Sequence, residues 1–154
     1  MISRILLIGS LIAAFCFAAA PVAKVSSASN FRLRGADVTA AGVADWPLTT
    51  GDEIGTGDGV AVISFRDGSR VTLARGTRAR LDSDNGTPVF RLLSGALQYS
   101  IAAGSALRIY ENSNLQAKPA GIVSTTPLSP NTIQSQFDLP QVGKTELRAL
   151  SGRK

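Results

Sequence analysis

Residues 51–81 read Gly-Asp-Glu-Ile-Gly-Thr-Gly-Asp-Gly-Val-Ala-Val-Ile-Ser-Phe-Arg-Asp-Gly-Ser-Arg-Val-Thr-Leu-Ala-Arg-Gly-Thr-Arg-Ala-Arg-Leu. Short runs of alternating character are separated by turn residues. In an extended chain Val60, Val62 and Ser64 point one way, while Ala61, Ile63 and Phe65 point the other. Asp67-Gly68 supplies a turn. Val71 and Leu73 then share a face, with Arg70 and Thr72 opposite. Arg75-Gly76 turns the chain again, and Thr77, Ala79 and Leu81 form a further set with Arg78 and Arg80 between them. This pattern predicts hairpins in a half-buried antiparallel sheet.

The same rhythm extends outward. Glycines at 59, 68, 76, 86, 95 and 104 recur every eight to ten residues, which leaves room for one strand and one turn per interval. Asp82-Ser83-Asp84-Asn85-Gly86 reads as a polar loop. Val89 to Leu93, Ala96 to Ile101 and Ala106 to Tyr110 read as later strands, and Phe31 to Arg34 as a first one. Pro47 biases Trp46, the single Trp, to an extended conformation on the edge of the core. The predicted fold is all-β: a compact antiparallel β-sandwich or β-roll of short hairpin-connected strands. A signal peptide precedes it and a largely irregular tail follows.

Residues 1–28 carry the marks of a secretory signal. Arg4 precedes an apolar and small-residue run from Ile5 to Ala20, and Ser26 and Ala28 are small residues suited to a cut before Ser29. Ala18 and Ala20 also fit, but Pro21 would follow that cut. The mature chain, with Arg4 and Lys24 gone, has 14 basic and 11 acidic residues, a net +3, and is expected to have no transmembrane span. So mild a charge, on an exported chain, argues against a nucleic-acid partner. The absence of His excludes His-based triads and the commonest zinc ligand. The single Cys, Cys16, lies in the leader, so disulfides are excluded from the mature chain. From Gln116 onward Pro, Ser, Thr and Gln accumulate, and the end is basic, with a short helix expected near Thr145 to Leu150.

Taken in order, these pieces resemble the FecR-type domain of bacterial envelope proteins. The likeness rests on Trp46, on Gly51-Asp52-x-Ile54-x-Thr56-Gly57, and on Val62-x-x-Phe65-x-Asp67-Gly68-Ser69-x-Val71-x-Leu73. It continues through Thr77-x-x-x-Leu81 and Leu92-Leu93-Ser94-Gly95-Ala96-Leu97. It covers about residues 40–110. The resemblance implies an all-β domain over 29–115, an exported periplasmic or extracellular location and a non-catalytic binding or structural role. Residues 116–154 then form a Pro/Ser/Thr-rich basic tail. Longer family members continue into a second half whose pattern has no counterpart in this sequence, and the signalling role of the iron-responsive regulators is not implied.

Candidate chemistry is sparse. The Gly-rich stretch before Val60 lacks the Lys-Ser or Lys-Thr and the following helix of a phosphate loop, and Asp52, Glu53 and Asp58 would repel phosphate. Gly51, Asp52, Gly57, Asp67, Gly68, Ser69 and Gly95 read as turn residues of structural importance. Asp82, Asp84 and Asn85 offer oxygen ligands but no closing Glu, so a solvated turn is favoured over a calcium loop. Six arginines lie between Arg66 and Arg91. Arg70, Arg78 and Arg80 oppose the apolar sets and are expected to share one solvent face. That face is either a solvated surface that discourages edge-to-edge pairing or a site for an anionic envelope polymer. No cofactor and no metal are expected. The chain reads as an exported FecR-like binding or scaffold module whose partner is an envelope protein or anionic polymer. Its alternatives are a periplasmic sensor partner that contacts a membrane protein by strand addition and, less favoured, an enzyme using Asp52 and Asp82 on envelope polymer.

Overall fold

The computed structural model describes residues 20–116, 118–126 and 130–137. Among them, thirteen strands form two sheets. The strands are β1 (Ala23–Ser27), β2 (Phe31–Leu33), β3 (Ala36–Val38), β4 (Trp46–Leu48), β5 (Glu53–Thr56), β6 (Ala61–Phe65) and β7 (Arg70–Leu73). They continue as β8 (Arg78–Asp84), β9 (Thr87–Ser94), β10 (Ala96–Ser100), β11 (Arg108–Glu111), β12 (Asn114–Leu115) and β13 (Ala120–Ser124), before the helix α1 (Pro130–Gln136). One sheet has six strands in the order β13-β10-β7-β6-β1-β4. The other has seven, in the order β12-β11-β9-β8-β5-β2-β3.

The period-two pattern explains why two sheets form. Ile63, Val71, Leu73, Leu97 and Val25 from the first sheet, and Ile54, Leu81, Phe90, Leu92 and Ile109 from the second, are all buried in one cluster. Phe65 of β6 meets Phe90 of β9 edge to face, with ring centroids 6.3 Å apart, and so ties the two inner faces together. The molecule is thus an all-β sandwich, as the alternation predicts.

One pairing departs from the antiparallel expectation. β11 runs parallel to β9, with Ile109 opposite Phe90. After β9 the chain leaves its sheet at Gly95, adds β10 to the other sheet, and returns through residues 101–107. A strand that comes back after such a crossover runs in its predecessor's direction.

The sheets reach past the expected domain boundaries at both ends. β1 falls inside the stretch assigned to the signal peptide, yet it is an inner strand, paired with β4 on one side and β6 on the other. Its small, polar Lys24-Val25-Ser26-Ser27 disguises a strand that buries only Ala23 and Val25. The tail likewise contributes structure. β13 pairs along its whole length with β10, and Phe137, just past α1, is buried against Ala74 and Ala96. Pro119 and Pro130 stand at element ends, where a missing N–H costs little. Proline content therefore overstates the irregularity of this segment. The helix expected near Thr145 to Leu150 lies outside the described residues. Among those residues, no helix is long and apolar enough to cross a membrane.

Candidate functional site

The turn residues singled out in the sequence serve the scaffold. Gly51 has φ 94°, and it places Asp52 beneath the β2–β3 hairpin. Arg34 Nε and Nη2 donate to the two Asp52 carboxylate oxygens at 2.6 and 2.8 Å, and the Thr49 N–H and hydroxyl donate to the same group at 2.7 and 3.1 Å. Burial works to raise the Asp52 pKa, but the Arg34 bond, the two Thr49 bonds and the Arg34 charge outweigh it and hold the group below its ordinary value. The Gly57 carbonyl accepts the Gly76 N–H. Asp67 Oδ1 accepts the Ser69 N–H at 2.8 Å, its other oxygen accepts the Ser105 hydroxyl, and Gly68 takes φ 89° at the tip. The Ser69 hydroxyl is buried and accepts the Ala102 N–H at 3.0 Å.

A second polar group crosses between the sheets. The Thr56 hydroxyl, at the end of β5, donates to the Ala74 carbonyl at 2.6 Å and accepts the Thr77 N–H at 2.8 Å. The Thr77 hydroxyl donates to the Ala96 carbonyl and accepts the Ala96 N–H, at 2.9 and 3.1 Å. Gly95, at φ 92°, lies so close that a Cβ there would stand 2.6 Å from Thr77 Oγ1.

The three arginines expected on one face do not share it. Arg78 and Arg80 lie on β8, in the seven-stranded sheet, whereas Arg70 lies on β7, in the six-stranded one. Alternation tells inside from outside, but two outward residues on different sheets face opposite ways.

The outer surface of the seven-stranded sheet is electrically self-compensated. Its strands carry Arg32, Arg78, Arg80, Arg91 and Arg108 against Asp37, Glu53, Asp82, Asp84 and Glu111. Arg32 pairs with Asp37, Arg78 with Glu53 and Arg108 with Asp84. Arg80 and Arg91 stand directly opposite each other across the β8–β9 ladder, and the Asp82 carboxylate bridges them at 2.9 and 3.2 Å. Arg91 also lies 4.8 Å from the centre of the Tyr110 ring. A groove of about 440 Å³ opens on this side over Gly55, walled by Arg32, Asp37, Glu53 and Arg78. The carboxylates weighed as ligands or acids, Asp52, Asp82 and Asp84, are each taken up by arginine.

The outer surface of the six-stranded sheet differs in kind. Its strands contain Lys24 and Arg70 and no acid. The register aligns Lys24, Ser64, Arg70 and Ser100 in one row across β1, β6, β7 and β10. Beside it run Ser26, Val62, Thr72 and Gln98. Lys24 and Arg70 flank Ser64 two strand spacings apart, about 10 Å. Arg66 follows the end of β6 and lines a pocket of about 200 Å³ with Lys24 and Ser64. Lys24 reaches Asp45 at 3.4 Å. Arg66 and Arg70 are exposed and have no acidic partner among the described residues.

Sequence reasoning missed the grouping of Lys24, Arg66 and Arg70 because it placed Lys24 in the leader. The available signal was the alternation of Ala23, Val25 and Ser27, which suits a strand beside β6. Comparison with protein-family models, curated proteins and solved structures finds no match.

Proposed function

We propose that this chain is an exported, non-catalytic binding module of FecR type, which attaches to an anionic polymer of the bacterial cell envelope through the outer face of its six-stranded sheet. The observation that carries the reading is the segregation of charge. Ion pairs within the seven-stranded sheet cancel its field, and a ligand there would have to compete with partners already in place. The six-stranded sheet presents Arg66 and Arg70, which have no ion-pair partner among the described residues, beside the exposed hydroxyls of Ser64 and Ser100. Guanidinium groups suit phosphate, sulfate and carboxylate, and hydroxyls suit sugar. The row of cations and hydroxyls runs across four neighbouring strands, which suits an extended polymer.

Incubation of the purified protein with isolated cell envelopes at rising NaCl tests this. Binding at low salt that is lost as salt screens the charges is the expected outcome. Salt-independent binding, or none, counts against it.

Strand addition is the second reading, and β13 favours it. This edge strand, Ala-Gly-Ile-Val-Ser, has neither charge nor proline. The bonds Ile101 N–H to Pro119 O and Thr125 N–H to Gly95 O direct its odd-numbered residues toward β10, which leaves the backbone groups of Ala120, Ile122 and Ser124 facing the edge. Ile122→Pro would abolish envelope binding under this reading and leave it intact under the first.

A further inference from the structure

β1 has neighbours on both sides. Ala23 lies opposite Leu48 and Phe65, and Val25 opposite Trp46 and Ile63. Ala23 and Val25 are 2% and 0% exposed and belong to the main core. β4 joins the six-stranded sheet only through β1, since the order ends β6-β1-β4. A chain that began at Ser29 would therefore lose more than one strand. β4 would have no sheet partner, the β6 backbone from Ala61 to Phe65 would lose its ladder with β1 and keep only that with β7, and Leu48 and Ile63, both now fully buried, would lose the strand that covers them. The turn after β1 adds a further contact: the Ser27 hydroxyl donates to the Val60 carbonyl at 2.9 Å. Ser29 also packs where a Cβ on Gly59 would stand.

We infer that export processing spares β1, and that the leader is cut at the Ala18–Ala19 bond rather than before Ser29. The inference rests on the export part of the function proposed above. Export peptidases accept small residues at −3 and −1. Cys16 and Ala18 meet that need for the Ala18–Ala19 bond. The bond after Ala20 has Ala18 and Ala20 in those positions, but its nitrogen belongs to Pro21, whose ring replaces the N–H and restricts the backbone there. In the cut, water adds across the Ala18–Ala19 peptide bond, leaving a carboxylate on Ala18 and a free amine on Ala19. The mature chain then keeps Lys24, and with it one of the three cations of the six-stranded sheet's outer face.

The test is the intact mass and N-terminal sequence of the product that a bacterium exports when it makes the full chain. A product beginning at Ala19, with slow amide exchange at Val25 in the same material, is the expected result. A folded exported product beginning at Ser29 overturns the inference and leaves the export reading standing. An uncut chain retained in the cytoplasm overturns both.

Discussion

Thr77 and Ala96 are joined across the sandwich by two hydrogen bonds through a single hydroxyl, which donates to the Ala96 carbonyl and accepts its N–H. Thr77 leads into β8 of one sheet and Ala96 opens β10 of the other, so this hydroxyl fixes where the chain crosses between layers. Thr77 is fully buried. Thr77→Val keeps the shape but leaves the Ala96 N–H without its partner, while the Ala96 carbonyl keeps the Ala74 N–H. At about 1–3 kcal/mol for a buried polar group left unpaired, a loss of about 1–3 kcal/mol is expected. Urea denaturation monitored by Trp46 fluorescence measures it, and a loss under about 0.5 kcal/mol, the range of an ordinary surface substitution, would remove the crossing role.

Gly95 makes that crossing close. At φ 92° any side chain is strained, and a Cβ would stand 2.7 Å from the Thr77 Cα, a backbone atom that cannot swing aside. Gly95→Ala should destabilise strongly. Gly76→Ala, also at positive φ but with nothing within 4 Å, should cost only about 1 kcal/mol for its backbone conformation. Equal thermal shifts for the two variants would mean that contact with Thr77 plays no part.

Asp52 gives the stability a pH signature. Its folded pKa lies below the unfolded value because the bonds from Arg34 and Thr49 overcome its burial. A depressed carboxyl contributes stability that is present above about pH 4 and lost as pH falls through the folded pKa. Asp67 is depressed in the same sense: burial opposes it, and the bonds from Ser105 and Ser69 prevail. Asp52→Asn should cost about 1–3 kcal/mol at pH 7. It should also flatten, without abolishing, the acid limb of a stability profile taken from pH 6 to pH 2. A variant with an unchanged acid limb would show that Asp52 is not depressed.

The sequence disclosed most where one face of a strand is buried. β6, β7, β8 and β10 stand close to where alternation placed them, through sets such as Ala61, Ile63 and Phe65 or Leu97, Tyr99 and Ile101, since half-burial writes a period of two into the chain. It could not tell which sheet a strand joins, because an outward Arg on either sheet leaves the same trace. Arg70 is therefore grouped with Arg78 and Arg80 on alternation alone, and the separation of charge between faces stays hidden. β1 escapes notice because Lys24 to Ala28 offers small residues fit for a cleavage site as well as for a strand. β13 escapes notice because its flanking prolines dominate the composition, although they lie outside the strand.

An anionic polymer that docks on the six-stranded sheet should respond to the charges of that face and not to those of the other. The most direct test compares Arg66→Gln/Arg70→Gln with Arg78→Gln/Arg80→Gln by equilibrium binding to a sulfated dextran at low salt. Both pairs remove two charges, the first from guanidiniums without an acidic partner on the six-stranded sheet's face, the second from ion-paired guanidiniums on the seven-stranded sheet's face. The first pair should weaken binding by about tenfold or more, equivalent to about 1.4 kcal/mol, and flatten its salt dependence. The second should leave binding close to that of the unaltered protein. Equal losses from both pairs, or a greater loss from the second, would contradict the assignment of the site to the Arg66 and Arg70 face.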